Sequence, residues 1–194
     1  MAPVTRSRLW RRFPPVVVLA VAGSLLTAYA AAPPPAEYEV KAAYLYNFAR
    51  FIEWPPEVAA AKRDRLVLGV IGADPFGSAL DEAVRDRTGP DDPRLVLRRF
   101  TRLADVVHAD ILFISSSEEE RLPQILAILK DASILTVGEM DRFAERGGMV
   151  ALRLEDNKVR FDVNLGAVRR TRLRLSSHLL KLARIVGDDG GARK

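Results

Sequence analysis

Four short apolar runs, Leu66–Ile71, Leu95-Val96-Leu97, Asp110–Ser115 and Ile134–Val137, are spaced along the chain with helix-forming stretches between them. Runs of this length rich in β-branched residues read as strands. Strands that alternate with helices pair in parallel, because each return to the sheet needs a crossover. Ile111-Leu112-Phe113-Ile114 is apolar on both faces, as a strand in the middle of a sheet covered on two sides must be. One helix is expected over Phe76–Arg87, with Asp74 as N-cap and Pro75 at the first helical position. Thr88–Pro93 is a turn cluster, Thr101–Val107 a short helix, and Ser117 with Glu118, Glu119 and Glu120 a capping box for a helix that runs to Lys130.

Before the first strand, Val40, Tyr44, Asn47/Phe48 and Phe51 recur at helical spacing, which predicts an amphipathic helix over Glu37–Trp54 stopped by Pro55-Pro56. After the fourth strand come a helical turn at Asp141–Arg146 and a Gly147-Gly148 turn that needs unusual backbone angles. Met149–Leu154 and Val159–Val163, joined by Glu155-Asp156-Asn157-Lys158, read as a hairpin. Asn164 caps a helical stretch, Leu165–Thr171, and Ser176 opens a last helix whose Leu179, Leu180, Leu182, Ala183 and Val186 form one stripe. The expected fold is α/β: a single domain over 37–186, a largely parallel or mixed sheet with helices on both faces, and a C-terminal hairpin and helix. Residues 187–194 read as a disordered, frayed tail.

The first thirty residues have another character. Arg6, Arg8, Arg11 and Arg12 precede an apolar stretch, Val16–Leu26, and Ala28-Tyr29-Ala30 offers small residues two apart. This is the layout of a secretory signal peptide, residues 1–30, cleaved after Ala30 or Ala32. An uncleaved anchor is the competing reading, since 14–32 carries no charge, although Pro14, Pro15, Gly23 and Ser24 interrupt it. Residues 31–36, with three consecutive prolines, read as an extended spacer.

The chain carries a formal charge of +5, which alone would suggest a nucleic-acid partner. Four of its 30 Lys and Arg, and none of its 25 Asp and Glu, fall in the first thirty residues, so the remainder is within one charge of neutral. Nucleic-acid binding thereby loses its electrostatic basis. The absence of Cys excludes disulfides, thiolate metal sites and thiol chemistry, and two His cannot build a His-rich metal site.

No catalytic pattern emerges. Gly69 to Gly77 runs from the end of a strand toward a helix but lacks both dinucleotide spacing and a following Lys-Ser/Thr, and Asp74 would repel phosphate. Ser115, Ser116 and Ser117 lack the flanking glycines of a nucleophile elbow, with only His108 and His178 as bases. Paired acids such as Asp81/Glu82 and Asp91/Asp92 fall at turns and helix starts. No catalytic residue, metal or cofactor is therefore assigned. The unusual charge feature is Arg169, Arg170, Arg172, Arg174, His178, Lys181 and Arg184, with no acid between Asp162 and Asp188. Either acids elsewhere in the fold balance this stretch, or an anionic ligand or acidic partner docks on it.

The run from Val40 to Pro55, VKAAYLYNFARFIEWP, resembles the opening of the YfiR-like family of bacterial periplasmic proteins. Further blocks agree in order: Ile134–Val137, Phe143–Met149, Val159–Leu165 and Leu175–Ala183. The resemblance implies a non-enzymatic periplasmic regulator, exported by its signal peptide. Such a protein acts as a homodimer that represses an inner-membrane diguanylate cyclase by contact, and an outer-membrane lipoprotein relieves the repression. Cyclic di-GMP signalling and biofilm regulation follow. The cysteine pairs of well-known members are absent here, so redox control is excluded and packing must supply the stability. On physical grounds the signature residues Lys41, Asn47, Phe48, Phe51, Trp54, Pro55, Gly147, Gly148 and Asn164 look structural, with Trp54-Pro55 ending the first helix and filling core. Arg50, Arg174 and His178 form a candidate anionic-ligand cleft, and Arg169, Arg170 and Arg172 candidate partner contacts. The alternative is a periplasmic small-molecule binding protein that serves a sensor kinase or other membrane receptor.

Overall fold

The structure is a computed structural model that describes residues 35–61, 65–85 and 94–187. The segment 1–30, the turn Thr88–Pro93 and the tail from 188 lie outside the described residues. A seven-stranded mixed sheet organises the domain. Its strands are β2 (Leu66–Ile71), β3 (Leu95–Phe100), β4 (Ile111–Ile114), β5 (Leu135–Gly138), β6 (Val150–Glu155), β7 (Lys158–Asn164) and β9 (Arg184–Val186), in the order β3-β2-β4-β5-β6-β7-β9. The first five in that order pair in parallel, β7 runs antiparallel to β6, and β9 is parallel to β7. Two further short strands, β1 (Ile52–Glu53) and β8 (Arg174–Leu175), form an antiparallel pair of their own.

Both faces of the sheet are covered, and β4 shows how. Ile111 and Phe113 join one core cluster while Leu112 and Ile114 join the other, the two-residue period of a strand buried on both sides. The first cluster is roofed by α1 (Pro35–Phe51), through Ala42, Leu45, Phe48 and Ala49, with Leu80 of α3 (Ala79–Arg85). The second is covered by Leu122 and Ile125 of α4 (Leu122–Ile128), Val106 of a 3-10 helix (Leu103–His108) and Phe143. A short helix α2 (Pro56–Ala61) follows β1; α5 (Leu165–Arg170) and α6 (Ser177–Leu182) complete the set.

The α/β class, the six strands β2 to β7 and the hairpin are as the sequence predicts, whereas β1, β8 and β9 form where the sequence gives no strand signal. In the hairpin Asp156 and Asn157 both have positive φ, 49° and 58°, between the paired Glu155 and Lys158. That is the two-residue turn whose twist matches the strands it joins.

Helix limits differ, each for a physical reason. The first helix stops at Phe51 rather than Trp54, because Ile52 and Glu53 turn extended to pair with Leu175 and Arg174. Its buried face also differs: Val40 is exposed while Ala42, Leu45, Tyr46 and Ala49 are buried. Small alanines let the helix sit close to the sheet, which the spacing of the larger side chains did not reveal. Asp74 does not cap α3, which starts at Ala79. Its Oδ1 accepts from Phe76 N at 2.8 Å and its other oxygen meets Arg99. Ser115, not Ser117, is the capping serine, and what it caps is a 3-10 helix (Ser116–Arg121) that precedes α4, whose own N-cap position is Arg121 with no side-chain cap. Pro123 sets this boundary, since it occupies the first α turn and has no N–H to continue a helix from upstream. The 141–147 segment makes hydrogen-bonded turns rather than a helix. The last helix is short, and Arg184–Val186, expected to extend its stripe, forms the edge strand β9 while Leu182 is exposed. Asp162 draws Arg184 onto the sheet, Nε to Oδ1 at 3.0 Å, and holds Arg153 Nε at 2.9 Å.

Two signature elements are explained by close approach. Gly147 has φ +106°, but the reason for Gly148 is different: a Cβ there would stand 2.1 Å from the ring of buried Phe143. Asn164 accepts from Ala167 N at 2.8 Å, capping α5, and donates from Nδ2 to Ala144 O at 2.7 Å. One amide thus fixes a helix start and the turn segment behind it.

Candidate interaction site

The end of α1 and the basic C-terminal stretch, far apart in sequence, are laced together. Beyond the β1–β8 pairing, Ser176 N donates to Phe51 O at 2.9 Å, and the His178 ring lies 5.5 Å from that of Phe51. Ser176 Oγ caps α6 by accepting from Leu179 N. Glu53 therefore stands opposite Arg174, and Trp54, Pro55, Pro56 and Glu57 wall a groove of about 400 Å³ whose other side is Arg172 and Arg174.

Charge in this groove is mixed. Arg172, at φ +60°, reaches Glu57 with Nη1 to Oε1 at 2.6 Å, and Glu53 faces Arg174 across the ladder. Both Arg172 and Glu57 are exposed, so their ion pair is worth little to stability. Elsewhere in the stretch Arg184 is paired to Asp162, whereas Arg170, Arg174 and Lys181 have no ion-pair partner among the described residues. Fold-level neutralisation thus accounts for part of the basic stretch.

Of the residues singled out for an anionic ligand, Arg174 lines the groove, His178 is exposed against Phe51, and Arg50 is exposed at the C-terminal end of α1. Arg50 and His178 do not line the groove. Arg169 and Arg170 are exposed at the end of α5, and Arg172 follows in the turn. Among the signature residues, Phe48 is fully buried with its ring 5.5 Å from that of Phe161, and Pro55 is buried, whereas Asn47, Phe51 and Trp54 are half-buried. Trp54 packs against the core and Pro55 beside it is buried, but Trp54 does not end α1. Its indole Nε1 is buried without a hydrogen-bond partner among the described residues.

Lys41 is the signature residue whose role the sequence leaves least visible. It is buried, with Nζ 2.5 Å from Glu37 and 2.6 Å from Glu139, and 4.7 Å from the Tyr38 ring centre. Tyr38 Oη donates to Glu139 at 3.2 Å. Burial first, then the Glu139 carboxylate, raises the Tyr38 phenol above its ordinary range. The Glu37–Lys41 spacing is legible as a helical pair. Glu139, at the end of β5, is not.

The serines before α4 are tied up in local structure: Ser117 Oγ accepts from Ala73 N at 2.8 Å, and Ser115 Oγ accepts from Ser117 N. Among the described residues no group of His, Asp and Glu could hold a metal ion, and no helix is long and apolar enough to cross a membrane.

The arrangement defines a class: a single α/β domain with a mixed seven-stranded sheet covered by helices, carrying a groove and a basic rim on its surface. The profile of the YfiR/HmsC-like family matches residues 38–184, and the chain belongs to that family. No curated protein matches the chain. Among solved structures, the ABC domain in complex with L-Trp from Streptococcus pneumonia is similar at a TM-score of 0.47 and 7% identity. The likeness covers 62% of this chain and 55% of that one.

Proposed function

We propose that this protein is a non-enzymatic periplasmic regulator that represses an inner-membrane diguanylate cyclase by direct contact. Membership of the YfiR/HmsC-like family over 38–184 is the observation that carries this reading. The family fits a periplasmic regulatory role rather than a catalytic one. Residues 1–30 serve as the export signal, 31–36 as a spacer whose last two residues, Pro35 and Ala36, already open α1, and 37–186 as the regulatory domain, which acts as a homodimer and is released from the cyclase by an outer-membrane lipoprotein.

Arg169, Arg170 and Arg172 are the partner contacts in this reading. They are exposed and sit within four residues at the end of α5 and the turn after it. A rim of guanidinium groups steers an acidic partner and makes association salt-sensitive. Arg172 can exchange its Glu57 carboxylate for a partner's at small cost, since both groups are already solvated. The test is co-purification of a tagged protein with detergent-extracted inner-membrane proteins. Recovery of a cyclase by the wild type, reduced at least tenfold in an Arg169→Glu/Arg172→Glu variant, is expected. Equal recovery by both would refute the contact surface.

A second reading rests on the groove. Its wall includes Trp54, whose buried Nε1 lacks an acceptor, and its mixed charge suits a small polar molecule with Arg174 as a ligand contact, while Arg50 and His178, the other two residues of this reading, do not line it. In this reading the protein serves a sensor kinase or other membrane receptor.

A further inference from the structure

A second cavity, also of about 400 Å³, shares no lining residue with the groove. It opens between the C-terminal end of α4, the Arg146-Gly147 turn and α5. Its apolar wall is Leu126, Leu129 and Met149, the last two buried, and the charged groups at its edge are Lys130, Arg146 and Arg170, all exposed. No acidic residue lines it.

We infer that this cavity is a binding site for a small amphiphilic anion, a carboxylate, sulfonate or phosphate head carried on an apolar body. Three cations from separate segments converge on one opening, and a volume of this size falls in the range of small-molecule sites. Lys130 and Arg170 have no ion-pair partner among the described residues. Arg146 is held in place by the Glu119 carboxylate at 2.7 Å and the Glu119 carbonyl at 3.2 Å, so its guanidinium is oriented before any ligand arrives. The polar side chains deeper in the cavity are already engaged: Thr136 Oγ1 accepts from Met149 N at 3.0 Å, and Thr171 Oγ1 donates to Val168 O at 2.8 Å. The cavity therefore offers cations at the mouth and apolar surface inside. Gly147, at φ +106°, closes one side without adding a side chain.

Arg170 belongs both to this cavity and to the basic rim, so an anion held here would sit beside the partner contacts. The binding itself can be measured on the purified protein without a partner, which separates this inference from the proposed function.

The probe is anilinonaphthalene sulfonate, followed by its fluorescence on titration into folded protein, with octanoate as competitor. Saturable one-to-one binding displaced by octanoate is expected. Lys130→Gln and Arg170→Gln should each weaken it about tenfold, the scale of one charge-assisted hydrogen bond. Leu126→Trp should abolish it by filling the apolar wall, and Arg98→Gln, on the far edge of the sheet, should leave it unchanged. Circular dichroism checks that each variant is folded, and the surface charge variants keep the test decisive should Leu126→Trp misfold. The inference is overturned by no saturable binding, by binding indifferent to both charge removals, or by loss of binding in Arg174→Gln instead, which would put the anion in the groove.

Discussion

Replacing Lys41 by Met removes the charge that balances Glu37 and Glu139 while keeping a side chain of similar length and an apolar stem. The three side chains are 5%, 9% and 11% exposed, so water cannot take over the lost interaction. Breaking a buried ion pair by deleting one partner costs about 3–5 kcal/mol, because a carboxylate is left buried without compensation. For a domain of this size that corresponds to a fall in Tm of roughly 6–20 °C. The assay is urea unfolding followed by circular dichroism, with an unchanged denaturant slope as the sign that the same folded and unfolded states are being compared. Neutralising the whole cluster, Glu37→Gln/Lys41→Met/Glu139→Gln, should recover stability to within about 2 kcal/mol of the wild type, since no unpaired charge then remains. A loss of less than about 1 kcal/mol in Lys41→Met would refute the reasoning and mean that the cluster is solvated.

Asn164→Asp should keep the cap on Ala167 N but lose the donor to Ala144 O and set a carboxylate against that carbonyl. A loss of about 2–3 kcal/mol by denaturant unfolding is expected, against near neutrality if only the cap matters. Hydrogen bonding from Arg99 holds the Asp81 carboxyl below its ordinary range. A carboxyl lowered in the folded state stabilises fully above its unfolded value, near ~4, and loses that contribution as pH falls through the lower folded value. The stability difference between wild type and Arg99→Gln should therefore be constant from neutral pH down to about 5, then shrink on further acidification. A difference that grows in acid would contradict the pairing.

The parallel strands β2 to β5 were legible because each holds a short apolar run that needs no distant information, as in Ile111–Ile114. The helix limits were not, because residues far away in the chain set them. Ile52 leaves the helix to pair with Leu175, and Arg184 leaves it for Asp162. The same distance hid the electrostatics: Arg172 reads as one of an unbalanced series until the fold brings up Glu57, 115 positions earlier. Lys130, Arg146 and Arg170 carry no common pattern in the sequence, and only the fold, which brings the end of α4, the turn and α5 around one cavity, gathers them. Gly147-Gly148 read as a turn, but the need for the second glycine lies in the Phe143 ring beside it.

The central claim, repression of a diguanylate cyclase by contact, is tested most directly by the cellular concentration of cyclic di-GMP in the native host. Deleting the gene should raise it severalfold, and the wild-type chain, but not Arg169→Glu/Arg172→Glu exported to the same level, should bring it back down. An unchanged concentration in the deletion strain, or full restoration by the charge-reversed variant, would contradict the account.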